Sequence, residues 1–263
     1  MTLLAVGVQG RGLVAPGEPV FTAADESLLR GSAAFETVRV YAGRPFLLDR
    51  HLVRFDLSIR ALGLPSAPGA AELALFVAAA PGASSADHVL RLIRTEELLV
   101  ATAAGLPPGL EELRARGLAL CTFERHPTAL LAGVKSTSYA EPLAARRAAE
   151  RAGADDALFV SGGALLDTAT ANIWWCTGDR LQTPPSGPGV LAGVTRGLVQ
   201  ELEDVAERHD VLEALLAADE AFTTSSIREV MPVVRVDGRP IGDGCPGPVA
   251  ARLQAALRLR SNL

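Results

Sequence analysis

Runs that alternate apolar and polar residues recur along this chain, interleaved with amphipathic helical stretches but without a strict strand–helix–strand rhythm. That order argues against a doubly wound parallel sheet and for an α+β fold. Residues 35–41 form the clearest alternating run, and Ala42-Gly43 turns it into a second strand. Asp49 then stands where an N-cap belongs, ahead of a helix that Gly63 stops. Further strands are expected at residues 3–8, 89–94, 98–103, 118–123, 156–160, 172–176 and 221–224. Helices are expected at 70–80, 139–152, 194–208 and 248–258. The Gly- and Pro-rich stretch at 104–109 reads as a connector. The expected organisation is a small α+β domain over residues 1–103, a linker over 104–113 and a larger α+β domain over 114–263.

Composition narrows the function. A chain of 263 residues with 49% hydrophobic content can bury a substantial core. Its net charge of −5 argues against a nucleic-acid partner, which calls for a basic patch. Cys121, Cys176 and Cys245 are an odd number without paired or metal-type spacing, as in a reducing compartment. The four histidines never fall at the i, i+4 spacing of a helical zinc site, so no metal is expected. No apolar run approaches the roughly 20 residues that span a bilayer. A cytoplasmic location without membrane attachment is the expectation.

One residue stands apart. Of 25 basic side chains only Lys135 is a lysine. A bias towards arginine should remove every lysine that arginine can replace and spare one that it cannot. An imine-forming amine is such a case, because arginine stays charged while lysine can lose its proton and attack a carbonyl. The apolar stretch Leu130-Leu131-Ala132-Gly133-Val134 just before it would favour the neutral amine by desolvation. The bland alternative is a snorkelling lysine at a strand end.

Three more segments carry polar groups suited to a cofactor. Asp167, next to a strand, is either a turn former or a partner for a pyridinium nitrogen. Gly189-Val190-Leu191-Ala192-Gly193-Val194-Thr195-Arg196 opens a helix after a Pro/Gly-rich loop and is either a capped start or a phosphate cup. Thr224-Ser225-Ser226 ends an apolar strand and could add hydroxyls to the same anion.

Taken in order, these segments resemble the class IV aminotransferases, the fold type IV enzymes of pyridoxal 5′-phosphate (PLP), from about Phe35 to Pro248. The resemblance rests on Phe35-Glu36-Thr37-Val38-Arg39, His51-Leu52-Val53-Arg54, Lys135 with Tyr139, and Gly153-Ala154-Asp155-Asp156-Ala157-Leu158. It continues through Asp167 and Asn172-Ile173-Trp174, Thr183-Pro184-Pro185, Gly189 with Gly193-Val194-Thr195-Arg196, and Val236-Asp237-Gly238-Arg239.

The resemblance implies two α+β domains with PLP between them and a homodimer. It makes Lys135 the Schiff-base lysine and proton-transfer base. Arg54, Val194, Thr195 and Ser226 would bind the phosphate, and Tyr139 would approach the ring oxygen. Asp167, where the family usually has glutamate, would meet the pyridine nitrogen with one methylene less reach.

Phe35-Glu36-Thr37 stands where the branched-chain enzymes usually have Phe-Glu-Gly, and Thr224-Ser225-Ser226-Ile227-Arg228 resembles the lyase pattern of the family more than the branched-chain one. The expected reaction is therefore conversion of 4-amino-4-deoxychorismate to 4-aminobenzoate and pyruvate, a step of folate biosynthesis. The alternative is a transaminase of branched-chain or D-amino acids, and a more remote one is a cofactor-free binding or regulatory relative.

Overall fold

The computed structural model describes residues 2–80, 83 and 86–261. The chain divides into two compact units, one of Met1–Pro108 with Val134–Tyr139, the other of Gly109–Gly133 with Ala140–Leu263. The segment bearing Lys135 therefore packs with the first unit, not with the larger second one where chain order would place it. Main-chain bonding is the reason. Phe35 N–H donates to Lys135 O at 3.1 Å, Thr137 N–H to Ala33 O at 2.8 Å, and Ala34 bridges Ser136.

The first unit contains β1 (Leu3–Val8), β2 (Gly12–Val14), α1 (Glu26–Arg30), β3 (Ala34–Tyr41) and β4 (Arg44–Pro45). It continues with α2 (Leu48–Ala61), α3 (Ala70–Ala78), β5 (His88–Arg94) and β6 (Leu99–Gly105). Among the described residues its strands form one antiparallel sheet in the order β2-β1-β6-β5-β3-β4. The alternation in β3 sends Ala34, Val38 and Val40 into a core shared with Phe55 and Ile59 of α2 and Ala74 and Val77 of α3. Gly7 lets α3 approach β1, since a Cβ there would lie 2.4 Å from Val77 Cγ2. Asp49 is not the cap of α2. Leu47 holds that place with φ 54°, and Asp49 lies in the first turn, where a negative charge complements the helix dipole.

The second unit opens with α4 (Leu110–Arg116), so part of the expected linker is helix. Then come β7 (Leu118–Glu124), α5 (Ala140–Arg151), β8 (Asp156–Ser161), β9 (Ala164–Thr168), β10 (Asn172–Thr177) and β11 (Arg180–Thr183). The rest is α6 (Val194–Leu202), β12 (Val205–Glu207), α7 (Leu212–Leu216), β13 (Glu220–Ser225), β14 (Glu229–Val236), β15 (Arg239–Pro240) and α8 (Pro248–Ser261). Among the described residues the mixed sheet runs β12-β11-β10-β13-β14-β7-β8-β9, with β15 on β14. Its core includes Leu118, Leu158, Ile173, Trp175, Met231 and Val233.

The helix expected over 194–208 ends at Leu202. Val205–Glu207 instead pairs in parallel with β11, and Glu207 binds Arg196 of α6 at 2.8 Å. Buried Glu220 accepts from the first amides of α8, Val249 at 2.9 Å and Ala250 at 2.7 Å. No described helix is long and apolar enough to cross a membrane.

Candidate active site

In the first unit, helical spacing on α2 puts His51, Arg54 and Ser58 on the face that also carries Phe55 and Ile59. All five are buried. Three polar side chains amid a core need polar partners. Glu36 of β3 supplies one. It is 0% exposed and receives Arg54 Nε at 2.7 Å on Oε1, Arg54 Nη2 at 2.8 Å on Oε2, and His51 Nδ1 at 2.7 Å on Oε2. Burial pushes the Glu36 carboxyl up, but these hydrogen bonds and the Arg54 charge outweigh it and hold the pKa at about 2. His51 is pushed below the usual histidine range by burial, with Glu36 opposing and the Arg54 and Lys135 charges adding to the fall.

Ser58 joins this face to the lysine. Its Oγ accepts from Lys135 N–H at 3.0 Å and donates to Arg54 O at 3.0 Å. Lys135 Nζ lies 4.4 Å from the centroid of the Phe35 ring and 5.9 Å from that of Tyr139. These two rings meet edge to face at 5.3 Å. The stretch preceding the lysine is not a buried strand. Ala129–Leu131 is a single 3-10 turn, and Leu130 is 86% exposed. Two aromatic rings flank the amine in this unit, Phe35 from β3 and Tyr139 from four residues further along the chain.

In the second unit, Asp167 sits in β9 and is buried. It accepts from Asn172 Nδ2 at 3.1 and 2.9 Å and from Leu191 N–H at 2.8 Å. Burial raises its pKa to about 7, against the pull of the Leu191 and Asn172 hydrogen bonds and of Arg196 and Arg125. Asn172 Nδ2 also donates to Leu191 O at 2.7 Å, so one amide ties Asp167 to the loop that leads into α6.

That helix begins at Val194 after Gly193 without a side-chain cap, and Thr195 lies buried in its first turn. Arg196, next in the motif, braces the fold by donating to Pro184 O at 3.1 Å and to Glu207. Ser226 is half-buried in the turn after β13. Beside that turn, Thr224 Oγ1 accepts from Trp174 Nε1 at 2.9 Å, and Trp174 stacks on Phe222.

Lys135, Tyr139 and Arg54 thus belong to the first unit, and Asp167, Val194, Thr195 and Ser226 to the second. Other matched motif residues are braces. Asp155 accepts from Ala119 N–H at 2.8 Å, and Asp156 pairs with Arg228 at 2.6 Å. Sequence reasoning assigned no task to Glu36, His51, Ser58 or Asn172. His51 and Ser58 were detectable in principle, because 51, 54 and 58 share one helical face with apolar residues.

The family profile for class IV amino-transferases matches residues 33–236 of this chain. A branched-chain-amino-acid aminotransferase-like protein 2 of Arabidopsis thaliana is 30% identical over 89% of the chain, which spans only 46% of that protein's length. A D-alanine aminotransferase of Bacillus licheniformis is 26% identical over 87% of both chains. Among solved structures, a hypothetical aminotransferase from Mycobacterium tuberculosis in its PLP-bound form superposes with a TM-score of 0.90. It is 27% identical, over 97% of this chain and 98% of that one. Its likeness carries the α+β, fold type IV architecture over to this chain. With a profile match that spans most of its length, the chain belongs to the class IV aminotransferase family.

Proposed function

We propose that this protein is a PLP-dependent transaminase, passing an amino group from an amino acid to a 2-oxo acid. The observation that carries the reading is Lys135. The chain's single lysine is held at its backbone by β3 and Ser58, and its amine lies against two aromatic rings.

The donor set fits the cofactor's three handles. By residue chemistry, the Lys135 amine would suit its aldehyde and the Asp167 carboxyl its ring nitrogen. Arg54 in the first unit, and the Val194 and Thr195 amides with the Thr195 and Ser226 hydroxyls in the second, are groups suited to a phosphate. When bound, PLP supplies an electron sink for charge developing on the substrate carbon. Lys135 Nζ would hold the cofactor at its aldehyde and, as a free amine, would take the proton from the substrate carbon that bears nitrogen. Burial pushes the Asp167 carboxyl up to about 7, and a cationic ring nitrogen beside it would favour the carboxylate. Phe35 and Tyr139 flank the amine, and Tyr139 O–H would be the partner of the ring oxygen.

Short signals in the sequence favour the lyase. The relatives support amino transfer in its place, since they carry aminotransferase names and two of them match over most of both chains. The test incubates PLP-loaded protein with L-branched-chain amino acids or D-alanine plus a 2-oxo acid, and in parallel with 4-amino-4-deoxychorismate. New amino acid formed by the wild type and lost in Lys135→Ala and Lys135→Arg is the expected result. Release of 4-aminobenzoate and pyruvate without amino transfer would return the assignment to the lyase. A protein that stays colourless with added PLP would sink both.

A further inference from the structure

A carboxylate with no exposed surface is costly, and a buried ion pair is often no more stabilising than apolar residues of the same volume. Stability alone therefore does not account for Glu36. Its geometry suggests another task. The two oxygens face Nε and Nη2 of one guanidinium at 2.7 and 2.8 Å, a fork that fixes both the plane and the rotation of the Arg54 head group. That fork engages Nε–H and one Nη2–H, two of the five N–H donors of the guanidinium. The carboxylate cannot swing, because His51 Nδ1 grips Oε2 at 2.7 Å and Thr37 N–H lies 3.4 Å from the same oxygen. The helical turn that carries Arg54 is itself tied to Lys135 through Ser58.

We infer that Glu36 is a positioning residue for the cofactor phosphate. It holds the Arg54 guanidinium pre-oriented for the anion, and His51 holds Glu36 in turn. The inference rests on Arg54 being a phosphate ligand, as proposed above. Pre-orientation removes the cost of ordering a long side chain when the anion arrives, so its loss should appear in affinity for the phosphate and not for the ring.

The experiment titrates cofactor-free protein with PLP and with pyridoxal, which lacks the phosphate. Glu36→Gln should weaken PLP by roughly ten- to a hundredfold, by analogy with the loss on removing an outer partner of a metal ligand, while pyridoxal affinity stays as in the wild type. Arg54→Met should show the same selective loss. In the double variant, Glu36→Gln should add nothing to Arg54→Met, because Glu36 acts only through Arg54. Unchanged PLP affinity in Glu36→Gln, or equal weakening of PLP and pyridoxal, would overturn the inference while leaving Arg54 as a ligand. Absence of a selective loss in Arg54→Met would overturn the underlying assignment and this inference with it. If the neutral variant does not fold, Glu36→Asp keeps the charge but withdraws it by one methylene. A selective loss of PLP affinity is expected there too, and equal affinity would refute the role.

Discussion

At the scale of single residues, Asp167 and Glu36 are both buried carboxyls, yet burial leaves them with opposite charge habits. Glu36 faces a guanidinium fork and an imidazole, whereas among the described residues the hydrogen bonds to Asp167 come from the Asn172 amide and the Leu191 N–H. The Asp167 pKa of about 7, raised above the ordinary value of 3.8, has a definite sign for stability. Without cofactor, the contribution of Asp167 is fully present below about pH 4 and is lost as pH rises to about 7. Urea melts of cofactor-free wild type and Asp167→Asn across that window should diverge, the wild type losing up to about 4 kcal/mol relative to the variant. Parallel stability profiles would show that Asp167 is already ionised in the folded protein. The amide should also weaken PLP, because it cannot balance a cationic ring nitrogen.

At the scale of elements, the start of α6 and the end of β9 form one construction. A Cβ on Gly193 would stand 2.0 Å from Asn172 Oδ1 and 3.2 Å from Arg196 Cβ. Glycine is needed there for space, since its φ of −67° is open to any residue. Gly193→Ala should displace Asn172, loosen Asp167 and cost about 1–3 kcal/mol, as overpacking does. Thermal melts and PLP titration of this variant would check both effects. Loss of PLP affinity without loss of stability would mean that the helix start itself, rather than Asn172, feels the methyl group. The Gly-rich run before α6 was legible as a helix start. The clash with Asn172 was not, because the two positions lie apart in sequence and meet only in the folded unit.

At the scale of the whole molecule, a cofactor that binds only the native chain should raise its melting temperature. At a hundred times its dissociation constant PLP would add about 2.7 kcal/mol, and each kcal/mol is worth roughly 2–4 °C in a chain of this size. Calorimetry should show the shift in the wild type. Reduction with borohydride should make it permanent, and Lys135→Ala should lose that permanence. A shift equal in both proteins after reduction and removal of free PLP would place the covalent attachment elsewhere.

Local pattern was enough for the alternating strand through Phe35, the amphipathic α2 and the start of α6, since each rests on the spacing of neighbouring residues. The solitary lysine was equally plain, because an amine that must lose its proton cannot be exchanged for arginine. What the order of residues left open is what surrounds that amine. The flanking apolar run is exposed over residues 130–133, and Phe35, Ser58 and the buried Glu36 come to Lys135 or to Arg54 from distant positions through strand pairing and helix packing. Hydrophobic burial and main-chain hydrogen bonding, which act between segments far apart in sequence, decided which polar groups are desolvated together and therefore which carry charge.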